Sequence, residues 1–284
     1  MQDHEFLQQY LLGERNFNGV NLAQINLIGA ALAEISLVAA TLTEANLPFA
    51  YLASATLSRA NLTQANLSQA FLRCVDLRFV KLGTGNLTAA DLTKADLRGA
   101  FLAKATLRGG QLSGANLAGA NLRQADLEGS NLCAADLRDS NLRSTNLAKA
   151  NLSWANLTHA RLNDTILQGT VFNGTQFCEA YLDGLDLSGA DLSSVDLSQA
   201  RFKNSSLQQA NLEGANLRGA ELRSTILAQA NLRATNLSGA DLRRANLDEA
   251  ILERALYTET TLFPEGFDPA AHGAYLIDDE VAVA

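Results

Sequence analysis

The chain has 284 residues, of which 47% are hydrophobic and 18% charged, with 22 Lys+Arg against 30 Asp+Glu and a formal net charge of −8. This acidic balance argues against a surface built as a whole for nucleic acid, and no stretch reaches the roughly 18 consecutive apolar residues of a membrane-spanning helix. The three cysteines, Cys74, Cys133 and Cys178, show no paired spacing, so neither a disulfide framework nor a zinc site is expected.

Residues 1–15 open the chain. Phe6, Leu7, Tyr10 and Leu11 recur at i, i+1, i+4 and i+5, and Gly13 follows. That pattern predicts a short amphipathic helix with a glycine stop, laid across whatever comes next. The start, Met1 to Phe6, carries no basic region ahead of a hydrophobic run, so no signal peptide is expected and the cytoplasm is the expected location.

From residue 16 to 256 the chain is a single repeat. Reading every fifth residue from Phe17 to Leu252 gives 48 positions, all Leu except Phe17, Phe172, Phe177 and Phe202. Two places before them 29 sites are Ala, and one place before them 28 are Asn or Asp. A period of five fits neither regular element. On an α-helix it leaves an offset of about 140° between successive Leu residues, and on a flat strand the odd spacing sends them to opposite faces. A unit that advances and then turns a corner brings every Leu inward, with the small residue two places earlier as a second inward site. Fixed-period stacks of this kind are solenoids.

The Ala-(Asn/Asp)-Leu-x-x units, such as Ala115-Asn-Leu-Ala-Gly and Ala190-Asp-Leu-Ser-Ser, resemble those of the pentapeptide repeat proteins over about 240 residues. The resemblance implies an all-β fold, a right-handed quadrilateral β-helix solenoid of about 12 coils with four pentapeptides each, preceded by a short N-terminal α-helical cap. Members commonly begin with such a helix running into a segment like Gly13-Glu-Arg-Asn-Phe17. At the other end, Tyr257 and Leu262 are expected to keep the register while the Ala and Asn columns fail. Residues 257–284 then form a C-terminal cap segment and tail, with Phe263 to Pro269 leaving the stack and the acidic run Asp278 to Glu280 fraying.

No catalytic constellation stands out. His4, His159 and His272 are scattered along the chain, and no Gly-rich phosphate loop is present. Of the 28 Asn/Asp sites, 19 are neutral Asn, which suits side chains bonding to one another and to turn backbone better than a calcium site. No enzyme activity, cofactor or metal is therefore expected. A closed Leu core leaves no ligand-sized cavity, and only a deep polar pocket beside residues 161–185 would reverse that reading. There Ile166, Val171, Gln176 and Tyr181 interrupt the Asn/Asp column, and Phe172 and Phe177 enlarge the core. A wider or kinked coil is expected, serving as a bend, a join between two segments or a recognition site.

Sorted by face at a period of twenty, the outward places of the face centred on Leu22, Leu42 and onward hold ten basic and five acidic residues, a net of +5. The other faces sum to −1, −3 and −1. The basic side holds Arg123, Arg143, Lys203, Arg223 and Arg243 in one column, with Lys104, Arg161, Arg201 and Arg244 beside it. It reads either as a docking strip for an acidic protein surface or polyanion, or as a solvated face broken by Asp164, Asp183, Glu221 and Asp241. A second candidate is apolar. Tyr51 and Phe71 sit one coil apart, with Phe49 at the neighbouring corner and Trp154 further along, and they form either a partner site or aromatics shielding their own coils.

The leading expectation is a non-enzymatic rigid scaffold for a protein partner, regulatory in role, without direct nucleic-acid contact, acting as a monomer or as a homodimer through a terminal cap. The resemblance also admits a DNA-mimicking protein that binds DNA gyrase, as the quinolone-resistance members do. That mechanism wants a continuously negative rod, and the face sums fall far short of a duplex with one charge per ~1.7 Å.

Overall fold

The computed structural model describes residues 2–278. Its building block is a tight turn. In each unit the Leu carbonyl accepts a hydrogen bond from the N–H three residues on, as from Ala60 to Leu57 at 3.0 Å. The residue just before that donor has a positive φ. All 48 such places, from Gly19 to Arg254, lie between 54° and 73°. A turn with φ > 0 at its third residue belongs to type II and favours Gly there, yet only 14 of the 48 are Gly. The other 34, among them Gln124 and Lys149, hold a conformation that crowds an L side chain.

A backbone ladder enforces it. The N–H of Leu62 donates to the carbonyl of Lys81 at 2.7 Å, and the N–H of Asn61 donates back to Ala40 at 2.9 Å. Repeated along the chain, these bonds make parallel bridges between residues twenty apart, from Asn16↔Ser36 to Asn236↔Leu256. Four turns therefore close one coil, and the coils stack. The Leu column and the small residues two places earlier point inward. Leu122, Leu142 and Ala120 are fully buried, and one apolar core runs the length of the stack.

The Asn column supports both turn and ladder. Asn61 Oδ1 accepts the N–H of Thr63 at 3.2 Å, which steadies the turn. Asn46 Nδ2 donates to Asn26 Oδ1, and Asn66 Nδ2 to Asn46 Oδ1, which ties one coil to the next. Thr replaces Ala at several inward corners and satisfies its hydroxyl on the backbone, as Thr145 does on the carbonyl of Leu122 at 2.8 Å.

Helix α1, Asp3–Leu11, covers the first coil. Phe6 is fully buried against Phe17, with ring centroids 4.7 Å apart. Tyr10 donates its hydroxyl proton to the Ala33 carbonyl, and the Arg15 guanidinium lies 3.9 Å above the Tyr10 ring. Leu11 departs from expectation. It is 81% exposed, because the helix meets the coil along Phe6 and Tyr10 and its last turn overhangs the edge.

The C-terminal end differs from the reading in two respects. Leu262 does not keep the register. It bridges Asp241, one residue beyond the regular spacing, so it takes the outward place and is 42% exposed. The extra residue is absorbed by a turn in which the Thr261 N–H bonds to the Thr258 carbonyl. Nor does the tail simply leave the stack. Strand β1, Leu256–Tyr257, pairs in parallel with β2, Tyr275–Leu276, which adds a final rung. Between them Phe263, Phe267 and His272 stack in succession and cover part of the open end. Of the acidic run at residues 278–280, positions 279 and 280 lie outside the described residues.

Because Leu122 is enclosed by coils on both sides, Leu122→Ala should lower unfolding stability by about 2–5 kcal/mol. Urea titration followed by circular dichroism measures this, and a loss well under 1 kcal/mol would contradict the inward assignment.

Candidate interaction surfaces and an open seam

Whether an Arg is neutralised depends on the carboxylates of its own unit and of the next coil. In Asp-Leu-Arg units the guanidinium folds back onto its own Asp with two bonds, as in Arg78 to Asp76 at 2.8 Å and Arg138 to Asp136 at 2.8 and 2.6 Å. An Asn-Leu-Arg unit supplies no carboxylate of its own, and its Arg is paired only where the next coil offers one, as Glu253 does to Arg233 at 2.6 Å. Arg123 and Arg143 follow Asn121 and Asn141, whose amide oxygens accept only the backbone N–H of those arginines. The Arg143 side chain reaches a neutral partner, Asn163 Oδ1, at 3.4 Å.

The basic side thus divides along its length. Toward the C-terminus Arg223 and Arg243 both hold Asp241, at 3.2 and 2.7 Å, and Arg201 lies 3.4 Å from Glu221. Arg201 also sits 5.3 Å from the Tyr181 ring, with Arg161 on its other side at 5.8 Å. The Lys203 backbone N–H bonds to Asp183 Oδ1. Arg123, Arg143, Lys203 and Arg244 have no ion pair among the described residues. Part of the signal is in the sequence, since Asp ahead of Leu-Arg always gives a pair, as at Arg78, Arg98, Arg138 and Arg243, and a face-by-face charge sum does not read it.

The exposed aromatics fall into two kinds. Trp154 is 69% exposed yet lies over Gly174 of the next coil, where an added Cβ would come within 2.4 Å of the ring. Phe79 covers Gly99 and Phe101 covers Gly83 in the same way. These rings shield neighbouring coils. Tyr51 and Phe71 pair with each other instead, at 6.1 Å between centroids, and with Phe49 they are about half exposed near the N-terminal end.

The irregular stretch at 161–185 turns out to be a break in the ladder. Eight consecutive interstrand bonds are absent, from the Asp164 N–H to the Asp196 N–H, and the bridges Ile166 to Asp186 and Val171 to Asp191 do not form. The coils stay joined on the two adjoining faces, where Leu162 bonds to Tyr181 and Phe177 to Asp196. The opening is therefore a wedge. It encloses about 630 Å³, lined by Ile166, Gln168 and Thr170 on one lip and by Asp186, Ser188 and Asp191 on the other, with Leu167, Phe172 and Leu187 at its base. The expectation that the closed core leaves no ligand-sized space fails at this point.

Leu185 stands at the corner where the wedge begins. Its corner column holds only Ala, Gly, Ser or Thr at every other coil from Ala45 to Ala245. Thr165 and Ser205, directly before and after it, bond through their hydroxyls to the Leu142 and Leu182 carbonyls. Leu185 supplies no such bond and is bulkier than both of these neighbours in its column.

The model of the pentapeptide repeat family, eight copies long, matches overlapping stretches from residue 16 to 193 and from 196 to 255. The chain belongs to the pentapeptide repeat family. Similar solved structures include HetL, a pentapeptide repeat protein involved in heterocyst differentiation regulation from the cyanobacterium Nostoc sp. strain PCC 7120. It is 35% identical over 90% of this chain and 96% of its own, with a TM-score of 0.28. A second pentapeptide repeat protein from the same Nostoc strain is 38% identical over 37% of this chain and 84% of its own, with a TM-score of 0.24. QnrB1, a plasmid-mediated fluoroquinolone resistance protein, is 14% identical over 77% of this chain and 90% of its own, with a TM-score of 0.27. No curated protein matches the chain.

In this pentapeptide repeat chain no group of three or more His, Cys, Asp or Glu is placed to hold a metal ion among the described residues. No described helix is long and apolar enough to cross a membrane. His159 stands between Asp139 and Glu179, 3.2 Å from each, in a column that stacks one side chain per coil. Asp76, Asp96, Asp136 and Asp241, each bonded by the arginine two places on, titrate below the usual carboxylate range. The Arg243 side-chain bond, assisted by the Arg243 N–H and by Arg223, pulls Asp241 from 3.8 down to about 2. Between those two values the unfolded chain holds a proton that the folded chain lacks, so acid favours unfolding there. The melting temperature should therefore fall as pH drops from about 4 to 2, and Asp241→Asn should shrink that fall. Thermal scans across this range test both, and an unchanged acid slope in the variant would show that the carboxylate is not held by its arginines.

Proposed function

We propose that this pentapeptide repeat chain is a non-enzymatic, rigid scaffold with a regulatory role, wound as a right-handed quadrilateral β-helix, that binds an acidic surface on a cytoplasmic protein partner. The observation that supports this is the unneutralised charge of Arg123 and Arg143, which follow Asn and occupy the same column of successive coils. Coils stack about 4.8 Å apart, so the two guanidinium groups form a short, regular row, with Lys203 and Arg244 further along the face. The half-exposed group of Phe49, Tyr51 and Phe71 offers an apolar anchor of the kind that dominates protein contacts. The chain acts as a monomer or as a homodimer through a terminal cap, and nucleic acid is not its partner.

The gyrase-binding, DNA-mimicking alternative draws no support from the charge arrangement. Several of the carboxylates that such a rod would display are folded onto arginines, as at Asp76, Asp96, Asp136 and Asp241.

Replacing Arg123 and Arg143 together by Glu should leave circular dichroism and melting unchanged and reduce capture of the partner from host lysate by about tenfold or more, the size expected when charge-assisted contacts are lost. Capture at wild-type level by the double variant would remove this face from the reading. Inhibition of gyrase supercoiling by the purified chain, or protection of gyrase from a quinolone, would replace it with the DNA-mimic alternative.

A further inference from the structure

We propose that the wedge between residues 165–174 and 186–193 is a binding slot for an extended segment of a partner protein that carries a Lys or Arg side chain. The lips decide the class of ligand. On one, the N–H groups of Leu167, Gly169 and Phe172 and the carbonyls of Thr165 and Thr170 have lost the partners that the same places hold in other coils. On the other, the N–H groups of Asp186 and Asp191 are equally unpaired. Backbone groups facing a cleft need partners, and donors and acceptors spaced as in a β-ladder are matched along their length by another extended backbone, the strand-addition mode of peptide recognition.

Charge selects the side chain. Asp186 and Asp191 lie on the upper lip, and the groups that act on them are Ser188, Ser193 and Asn211, with no cation among them. Hydrogen bonds from Ser188 and Ser193 hold both carboxyls below their usual range, so both stay ionised. They repel phosphates and other anions and attract a basic residue. The base, formed by Leu167, Phe172 and Leu187, accepts an aliphatic side chain, and a space of about 630 Å³ lies within the range of ligand pockets. This slot is separate from the Arg123–Arg143 row, so the two surfaces are testable apart.

The experiment pans displayed unstructured octapeptides against the full chain. The selected peptides are then measured by fluorescence anisotropy and by amide hydrogen exchange. Peptides enriched in β-branched residues and in Lys or Arg are expected. Their binding should slow exchange at Leu167, Gly169 and Asp191. It should weaken about tenfold or more when alternate peptide amides are N-methylated, or in the Asp186→Asn/Asp191→Asn variant. Leu185→Thr restores a hydroxyl at the corner, and it should close the wedge, slow those amides without peptide and abolish binding. Arg123→Glu/Arg143→Glu should bind the peptides as wild type does. The proposal falls on any of three results. One is no peptide selected above a blank surface, and another is binding that survives N-methylation or follows the Arg123–Arg143 row. The third is wedge amides that in the free protein exchange as slowly as those of Leu127 and Gly129, which are bonded two coils earlier.

Discussion

Everything in this protein depends on a left-handed residue recurring at every fifth place. It turns the chain through a corner, returns the next N–H to the Leu carbonyl and leaves the following residue in line to pair with the coil above. For the 34 non-Gly residues that adopt it, the conformation is unfavourable in isolation. It persists because each corner is clamped by ladder bonds on either side and by an inward Leu that fits only if the corner is made. Local geometry and stacking therefore stabilise each other, and neither is expected to survive alone.

How far this can be read from sequence depends on which neighbours decide each feature. The inward columns are legible because burial imposes the same demand on every unit. Leu122 needs no information beyond its place in the period. The left-handed place is less visible. Gln124 and Glu44 carry no turn signature, and their backbone is set by the coils around them. Helix α1 could be placed from Phe6 and Tyr10, but not the overhang of Leu11, because the edge of the first coil sets where contact ends. At the other end Leu262 looks in register, and only the Thr258–Thr261 turn reveals the added residue.

The candidate surfaces show the same division. A charge sum finds the side that carries Arg123 and Arg243 but treats them alike. The structure separates them by one atom pair: Asp241 offers a carboxylate to Arg243, whereas Asn121 offers Arg123 an amide that is already engaged by backbone. Residues 161–185 could be marked as irregular from Ile166 and Val171. That the irregularity is an opened ladder shows only in the backbone bonds, with Leu185 at its start where Thr165 and Ser205 bond through their hydroxyls.

The wedge has a mechanical consequence as well. In a linear stack, cooperativity passes only from one layer to the next, and here one layer boundary keeps its bonds on two sides out of four. The array is thus two blocks hinged at a weakened joint, the longer one ahead of it and the shorter one behind. Under tension, or during slow unravelling from either terminus, each block is free to come apart as its own unit while the other stays wound.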